Sequence, residues 1–120
     1  MAVVDLTAEE FEQKANSPGI LLVDFWADWC RPCRMFAPIY EQASETHPGI
    51  TFGKIDTEAE PDLAAIARIS SIPTLVVFRD GTLVYRRSGA HSGRALEKLI
   101  TKVQGLDMVA VRAKAATRRP

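Results

Sequence analysis

Cys30 and Cys33 are the only cysteines in the 120-residue chain, and Arg31 and Pro32 stand between them. A Cys-x-x-Cys pair can do three things. It can exchange between dithiol and disulfide, it can supply half of a four-ligand zinc or cluster site, or it can be an inert structural pair. The metal reading needs two more ligands, and His47 and His91, the two histidines, lie far off in sequence. The exchange reading needs only that one thiol be activated and the other be within reach.

Both conditions depend on the elements around the pair. Ile20 to Ala27 is an apolar run, rich in β-branched and aromatic residues and broken by one acid, Asp24. This predicts a buried strand. Pro32 suits the first turn of a helix, where its missing N–H has no intrahelical partner to lose. Cys30 is therefore predicted at a strand-to-helix junction. The unpaired N–H groups and positive dipole end of a helix start stabilise a thiolate, so the Cys30 pKa should be depressed. Cys33 falls one helical turn later on the same side, within disulfide reach. Arg31 adds a guanidinium that is charged at any physiological pH. It should favour the thiolate and hence the reduced form, making the couple more oxidising, to an extent limited by solvent screening. Asp24 has two readings: a strand-end acid facing water, or a buried acid of raised pKa beneath the cysteines.

The rest of the chain reads as alternating elements. Val3-Val4 suggests a short edge strand. Thr7-Ala8-Glu9-Glu10 is a capping box for a helix from Ala8 to about Asn16, stopped by Ser17-Pro18-Gly19. The second helix is predicted from Pro32 to about His47, with Pro38 inside it as a source of a kink. Ile50–Asp56 reads as a strand containing Lys54. Pro61 opens a helix from Asp62 to about Arg68, with Leu63, Ile66 and Ala67 on its inner face. Thr74–Phe78 and Thr82–Arg87 flank Asp80-Gly81, a hairpin signal. Ser92-Gly93 starts a last amphipathic helix to about Gln104, striped by Leu96, Leu99, Ile100 and Val103. This order implies an α/β domain, a mixed sheet covered on both faces. Residues 105–120 form a basic extension with Arg112, Lys114, Arg118 and Arg119. Leu106, Val109, Ala110 and Ala113 keep helical spacing, so it reads as a further helix or a frayed tail, either solvated or docking a partner.

Composition sets bounds. The chain has the length of one domain, is 47% hydrophobic and carries zero net charge. No nucleic-acid footprint is visible and no apolar run reaches membrane length. Residues 1–62 hold twelve acids and four bases, and residues 63–120 hold three acids and eleven bases. Either the halves complement each other in one fold or a basic face steers an acidic partner. Met1-Ala2-Val3-Val4-Asp5 has no basic region followed by a long apolar stretch, so a cytoplasmic location is expected.

The run Val23-Asp24-Phe25-Trp26-Ala27-Asp28-Trp29-Cys30-Arg31-Pro32-Cys33 resembles the active-site stretch of thioredoxins, and the resemblance extends over roughly residues 3 to 104. One residue departs from it, since thioredoxins usually have glycine where this chain has Arg31. The resemblance implies the thioredoxin fold for residues 1–104, with a cis-proline loop at Ile72-Pro73-Thr74 facing the cysteines. It implies that Cys30 is the nucleophile and Cys33 the resolving thiol, and that Asp24 moves a proton for Cys33. Lys54 matches a lysine that tunes that acid, though it also reads as a strand lysine reaching solvent. Arg31 and Pro32 would set the redox potential. Trp29, Ile72, Pro73, Thr74, Gly89 and Ala90 would border the substrate groove, with Trp26 packed beneath. His47 and His91 are expected to be ordinary surface histidines. The implied activity is protein-disulfide reduction by a monomer, with no bound cofactor beyond the Cys30–Cys33 pair. NADPH would supply electrons through a thioredoxin reductase, and the substrates would be disulfide-containing proteins. Two alternatives remain: a more oxidising thiol–disulfide oxidoreductase, and a binding module of the same fold whose cysteines are idle or hold metal across a dimer.

Overall fold

A computed structural model describes residues 2–117. The elements follow in the order β1 (Val3–Asp5), α1 (Ala8–Ala15), β2 (Ile20–Trp26), α2 (Arg31–Thr46), β3 (Thr51–Asp56), α3 (Pro61–Ile66), β4 (Thr74–Arg79), β5 (Thr82–Ser88), α4 (Gly93–Gln104) and α5 (Met108–Thr117). The strands form one sheet in the order β1-β3-β2-β4-β5. β1, β3 and β2 run parallel, and β4 and β5 are antiparallel additions. This is the expected mixed sheet, with β2 at its centre.

Alternation along β2 assigns its side chains to two cores. Leu22 packs with Phe36, Tyr40, Phe52, Leu75 and Leu96 under α2 and α4. Leu21, Val23 and Phe25 pack with Leu6, Ile55 and Val76 on the face of α1 and α3. Asp24 shares the parity of Leu22, so it points to the face that α2 covers. Thr7 caps α1 as predicted, its side chain and that of Glu10 bonding reciprocally to backbone N–H groups. Asp80 and Gly81 both have positive φ, 51° and 83°, as a type I′ turn requires.

Two apolar faces differ from expectation. Leu63 and Ala67 pack inward from α3, but Ile66 is 79% exposed. A six-residue helix that meets the core along one i, i+4 row buries that row and leaves the i+3 position in water. In the extension, Val109 is 79% exposed and Met108 is buried in its place. The cause is local: Asp107 Oδ1 accepts the N–H groups of Val109 and Ala110, so α5 starts there. Leu106 then lies in the preceding turn, out of phase with the helix. Arg118 and Arg119 lie outside the described residues. No helix among the described residues is long and apolar enough to cross a membrane.

Arg79 ties the far end of the sheet to α4. Its Nη1 donates to the carbonyl oxygens of Val103 and Leu106 at 2.8 Å and of Gln104 at 3.2 Å. A half-buried cation thus gathers three carbonyls at and just past the C-terminal end of α4, where positive charge is favoured. Arg79→Ala is expected to destabilise the fold by about 2 kcal/mol, within the range for charge-assisted bonds. The check is the urea midpoint at constant m-value, and an unchanged midpoint refutes the role.

Candidate functional site

β2 delivers the chain to the start of α2, and Cys30 is the N-cap residue of that helix. The predicted start at Pro32 moves back by one residue, because Arg31 already has helical geometry and Pro32 occupies the first turn. Cys30 and Cys33 are joined in a disulfide with Cα atoms 5.3 Å apart. Cys30 Sγ accepts the Cys33 N–H at 3.3 Å. That is the capping position usually filled by a serine or aspartate oxygen, so a negative sulfur there meets an unpaired N–H and the helix's positive end. The first turn of α2 contains no acid to oppose it. Both cysteines are buried in this oxidised state, Cys30 at 4% and Cys33 at 3% exposure, so accessibility does not separate them. Their position in the helix does.

The loop opposite is placed by β4. The Ile72–Pro73 bond is cis, as the resemblance implied, and the Ile72 carbonyl oxygen lies 3.6 Å from Cys30 Sγ. Thr74 is buried and holds the loop's base. Its hydroxyl donates to the Ser71 carbonyl at 2.5 Å and lies 3.1 Å from Ser88 Oγ. Gly89 closes the other side, its N–H donating to the Pro73 carbonyl at 2.8 Å. Gly89 has φ +103°, a conformation that excludes side chains, and Ala90 beside it is exposed. Trp29 is 67% exposed and, with Ile72, Ile69, Ser70, Ser71 and Thr57, lines a cleft of about 300 Å³. Its indole N–H donates to Glu58 Oε1 at 2.8 Å. Glu58 is a site residue that sequence reasoning missed, because only the folded path of the β3–α3 loop brings it there.

Asp24 is buried at 4% exposure, and Oδ1 has no hydrogen-bond partner among the described residues. Burial raises its pKa to about 7, against an opposing pull from Lys54. The reading of Asp24 as a strand-end acid in water is therefore excluded. Lys54 sits beside Asp24 in the parallel register of β2 and β3. Its Nζ is nonetheless 3.7 Å from Asp5 Oδ1 and 4.9 Å from the centre of the Trp26 ring. It acts on Asp24 through space, while its ion pair is with Asp5. Tyr40 is a second neighbour that the sequence did not announce. Its hydroxyl donates to the Gly53 carbonyl at 2.8 Å, and its pKa is raised by burial and then by the charge of Asp24.

The histidines divide. His47 is the half-buried C-cap of α2, its Nε2 2.7 Å from Glu97 Oε1. His91 is not a surface residue: it is 8% exposed, between Phe36 and Tyr85. It follows Ala90 directly, and the turn into α4 points it inward. Among the described residues, no group of three or more His, Cys, Asp or Glu side chains is placed to hold a metal ion.

Known proteins share this fold. The family pattern described as thioredoxin matches residues 2–102. A putative thioredoxin 2 of Streptomyces coelicolor is 46% identical over 111 residues, which is 92% of this chain and 83% of that protein. A thioredoxin of Staphylococcus aureus is 40% identical over 103 residues, 85% of this chain and 98% of that one. Among solved structures, Plasmodium falciparum thioredoxin superposes with TM-score 0.75 at 34% identity, covering 82% of this chain and 96% of its own. Oxidised mitochondrial thioredoxin 3 of Saccharomyces cerevisiae gives 0.76 at 34% identity, covering 83% and 94%. A matching pattern over most of the length, with a Cys-x-x-Cys disulfide at a helix start facing a cis-proline, places this chain in the thioredoxin family, whose chemistry is thiol–disulfide exchange.

Proposed function

We propose that the protein is a general protein-disulfide reductase acting in a reducing cytoplasm. The observation that carries this reading is the capping geometry of Cys30: its sulfur already accepts an N–H from the helix start, with Cys33 one turn away. In the reduced protein the Cys30 thiolate attacks one sulfur of a substrate disulfide. A Cys30–substrate disulfide forms and the first substrate thiolate leaves. Cys33, giving its proton to Asp24, then attacks the Cys30 sulfur and expels the second substrate thiolate. The substrate gains two electrons, and the protein is left with the Cys30–Cys33 disulfide. An NADPH-dependent thioredoxin reductase returns those electrons, so no resident cofactor is required. Trp29, Ile72, Pro73, Thr74, Gly89 and Ala90 border the groove in which an extended substrate segment would bind through backbone groups. Lys54 moderates Asp24, and Pro32 fixes the first turn of α2.

The test is reduction of insulin disulfides with thioredoxin reductase and NADPH. Steady NADPH consumption that depends on this protein is expected, and none would refute the reductase reading.

Arg31 supports the competing reading, an oxidant. It is exposed at the first position of α2, beside Cys30. Arg31→Gly is expected to lower the reduction potential by at most about 30 mV, the equivalent of one pKa unit in the nucleophile. Equilibration against glutathione measures it. Equal potentials for the two proteins would remove Arg31 from the tuning set.

A further inference from the structure

The groove described above has a rim, Gly89–Ala90, attached to the Pro73 loop by one hydrogen bond, Gly89 N–H to the Pro73 carbonyl. What lies behind that rim is a buried titratable group that the exchange reaction does not use. His91 is the next residue after Ala90. Its Nε2 is 2.8 Å from the Tyr85 hydroxyl, and its ring packs against Phe36 of α2 and Tyr85 of β5, with centroids 6.0 and 5.9 Å away. Nδ1 is buried and has no hydrogen-bond partner among the described residues. We propose that His91 is a positioning residue for substrate binding: neutral, it holds the Gly89–Ala90 rim against the Pro73 loop, and protonated, it releases that rim, so affinity for disulfide substrates falls as the pH falls.

The surroundings favour the neutral ring. An imidazolium has two N–H donors: Nε2 faces the Tyr85 hydroxyl, and Nδ1 meets no hydrogen-bond partner among the described residues in this geometry, the Gly89 backbone exerting only a pull weaker than the cost of burial. Charging a ring in so buried a site is costly. The charged or titratable groups that face the ring come from β5: the Tyr85 hydroxyl and Arg87, whose cation opposes a second positive charge. From α2 the packing residue is Phe36, which is uncharged. No salt bridge to His91 exists among the described residues to repay protonation. Burial first, and Arg87 second, hold its pKa below the ordinary histidine value, against a smaller opposite pull from the Gly89 backbone. Protonation thus occurs at lower pH than for an ordinary histidine, and the relief available is movement of the ring toward water. Because His91 is one residue from Ala90 and two from Gly89, that movement displaces the rim.

The inference rests on reading this groove as the substrate groove, and two measurements keep the two ideas separable. The first is KM and kcat for insulin reduction from pH 7.5 to 5.5. KM is expected to rise about fivefold across this range in the native protein and by less than twofold in His91→Leu. The pH dependence of kcat and of Cys30 alkylation should be the same in both. The second measurement needs no substrate: the amide resonances of Gly89 and Ala90 should titrate with the same midpoint as the His91 ring. Tyr85→Phe, which keeps the aromatic packing, serves if His91→Leu does not fold, and it should shift that midpoint. Parallel KM profiles in native and variant protein, or rim amides indifferent to the His91 titration, overturn the proposal. Absence of turnover at every pH overturns the reductase reading instead, and the amide titration still decides the role of His91.

Discussion

Cys30→Ser is expected to lower insulin-disulfide reduction by roughly 10³-fold or more, whereas Cys33→Ser should leave the first chemical step intact and trap its product. The difference follows from position. Cys30 is the N-cap, where the Cys33 N–H and the start of α2 stabilise negative sulfur. A serine there can cap the helix but has no ionised form near neutral pH with which to attack a disulfide. Cys33 lies inside the helix, so its role is to displace the substrate from Cys30. Without it, a one-to-one mixed disulfide should accumulate, visible by mass spectrometry under non-reducing conditions. A Cys33→Ser protein that turns over at the native rate, or that couples substrate to any residue but Cys30, contradicts the assignment. The fold should survive either change, since the disulfide closes a loop of only four residues, for which the entropic gain is small.

The parts of this site that were legible in the sequence are those set by local rules. Thr7 and Glu10 announce the start of α1, and Asp80-Gly81 announces the β4–β5 turn, because caps and type I′ turns depend on a few adjacent residues. The burial of Asp24 beneath the cysteines was one of two readings that its apolar strand allowed, and the packing of that face of β2 under α2 decided between them. The cis peptide before Pro73 and the role of Gly89 came from family resemblance and not from any local signal. Contacts between elements distant in sequence were not legible. His91 looked like surface because it adjoins Ser92-Gly93, a polar helix start, and its burial depends on Phe36, 55 residues earlier. Glu58 reaches Trp29 only because the loop after β3 passes that way, with the Thr57 N–H on the Trp26 carbonyl. The ion pair of Lys54 with Asp5 needed the pairing of β1 with β3, which a three-residue strand does not advertise.

Asp24→Asn is expected to stabilise the protein at pH 8 by up to about 4 kcal/mol while slowing release of substrate from the mixed disulfide by roughly 10²-fold. Both effects come from one buried carboxyl. In the folded chain it titrates near 7, raised from 3.8 by burial. The folded state therefore holds a proton that the unfolded state gives up between about pH 4 and pH 7. Since the unfolded chain binds fewer protons in that window, stability falls as pH rises through it, and the full penalty is present above pH 7. An asparagine amide carries no such penalty, so the stability gap between variant and native protein should close toward pH 4 and be widest at pH 8. Its NH₂ group must still find partners where Oδ1 has none among the described residues, so the 4 kcal/mol is a ceiling. The rate effect has the opposite sign because a carboxyl near pH 7 is poised to take the Cys33 proton, and an amide cannot. The inflection near pH 7 in the resolving step should disappear in Asp24→Asn. In Lys54→Gln it should move upward, because Lys54 is the cation that pulls the Asp24 pKa down. Stopped-flow resolution of a preformed mixed disulfide, with urea melts from pH 4 to 8, tests each part. A stability gap that does not vary with pH would mean that Asp24 is not a buried acid near neutrality. An inflection that persists in the asparagine variant would mean that some other group takes the proton from Cys33.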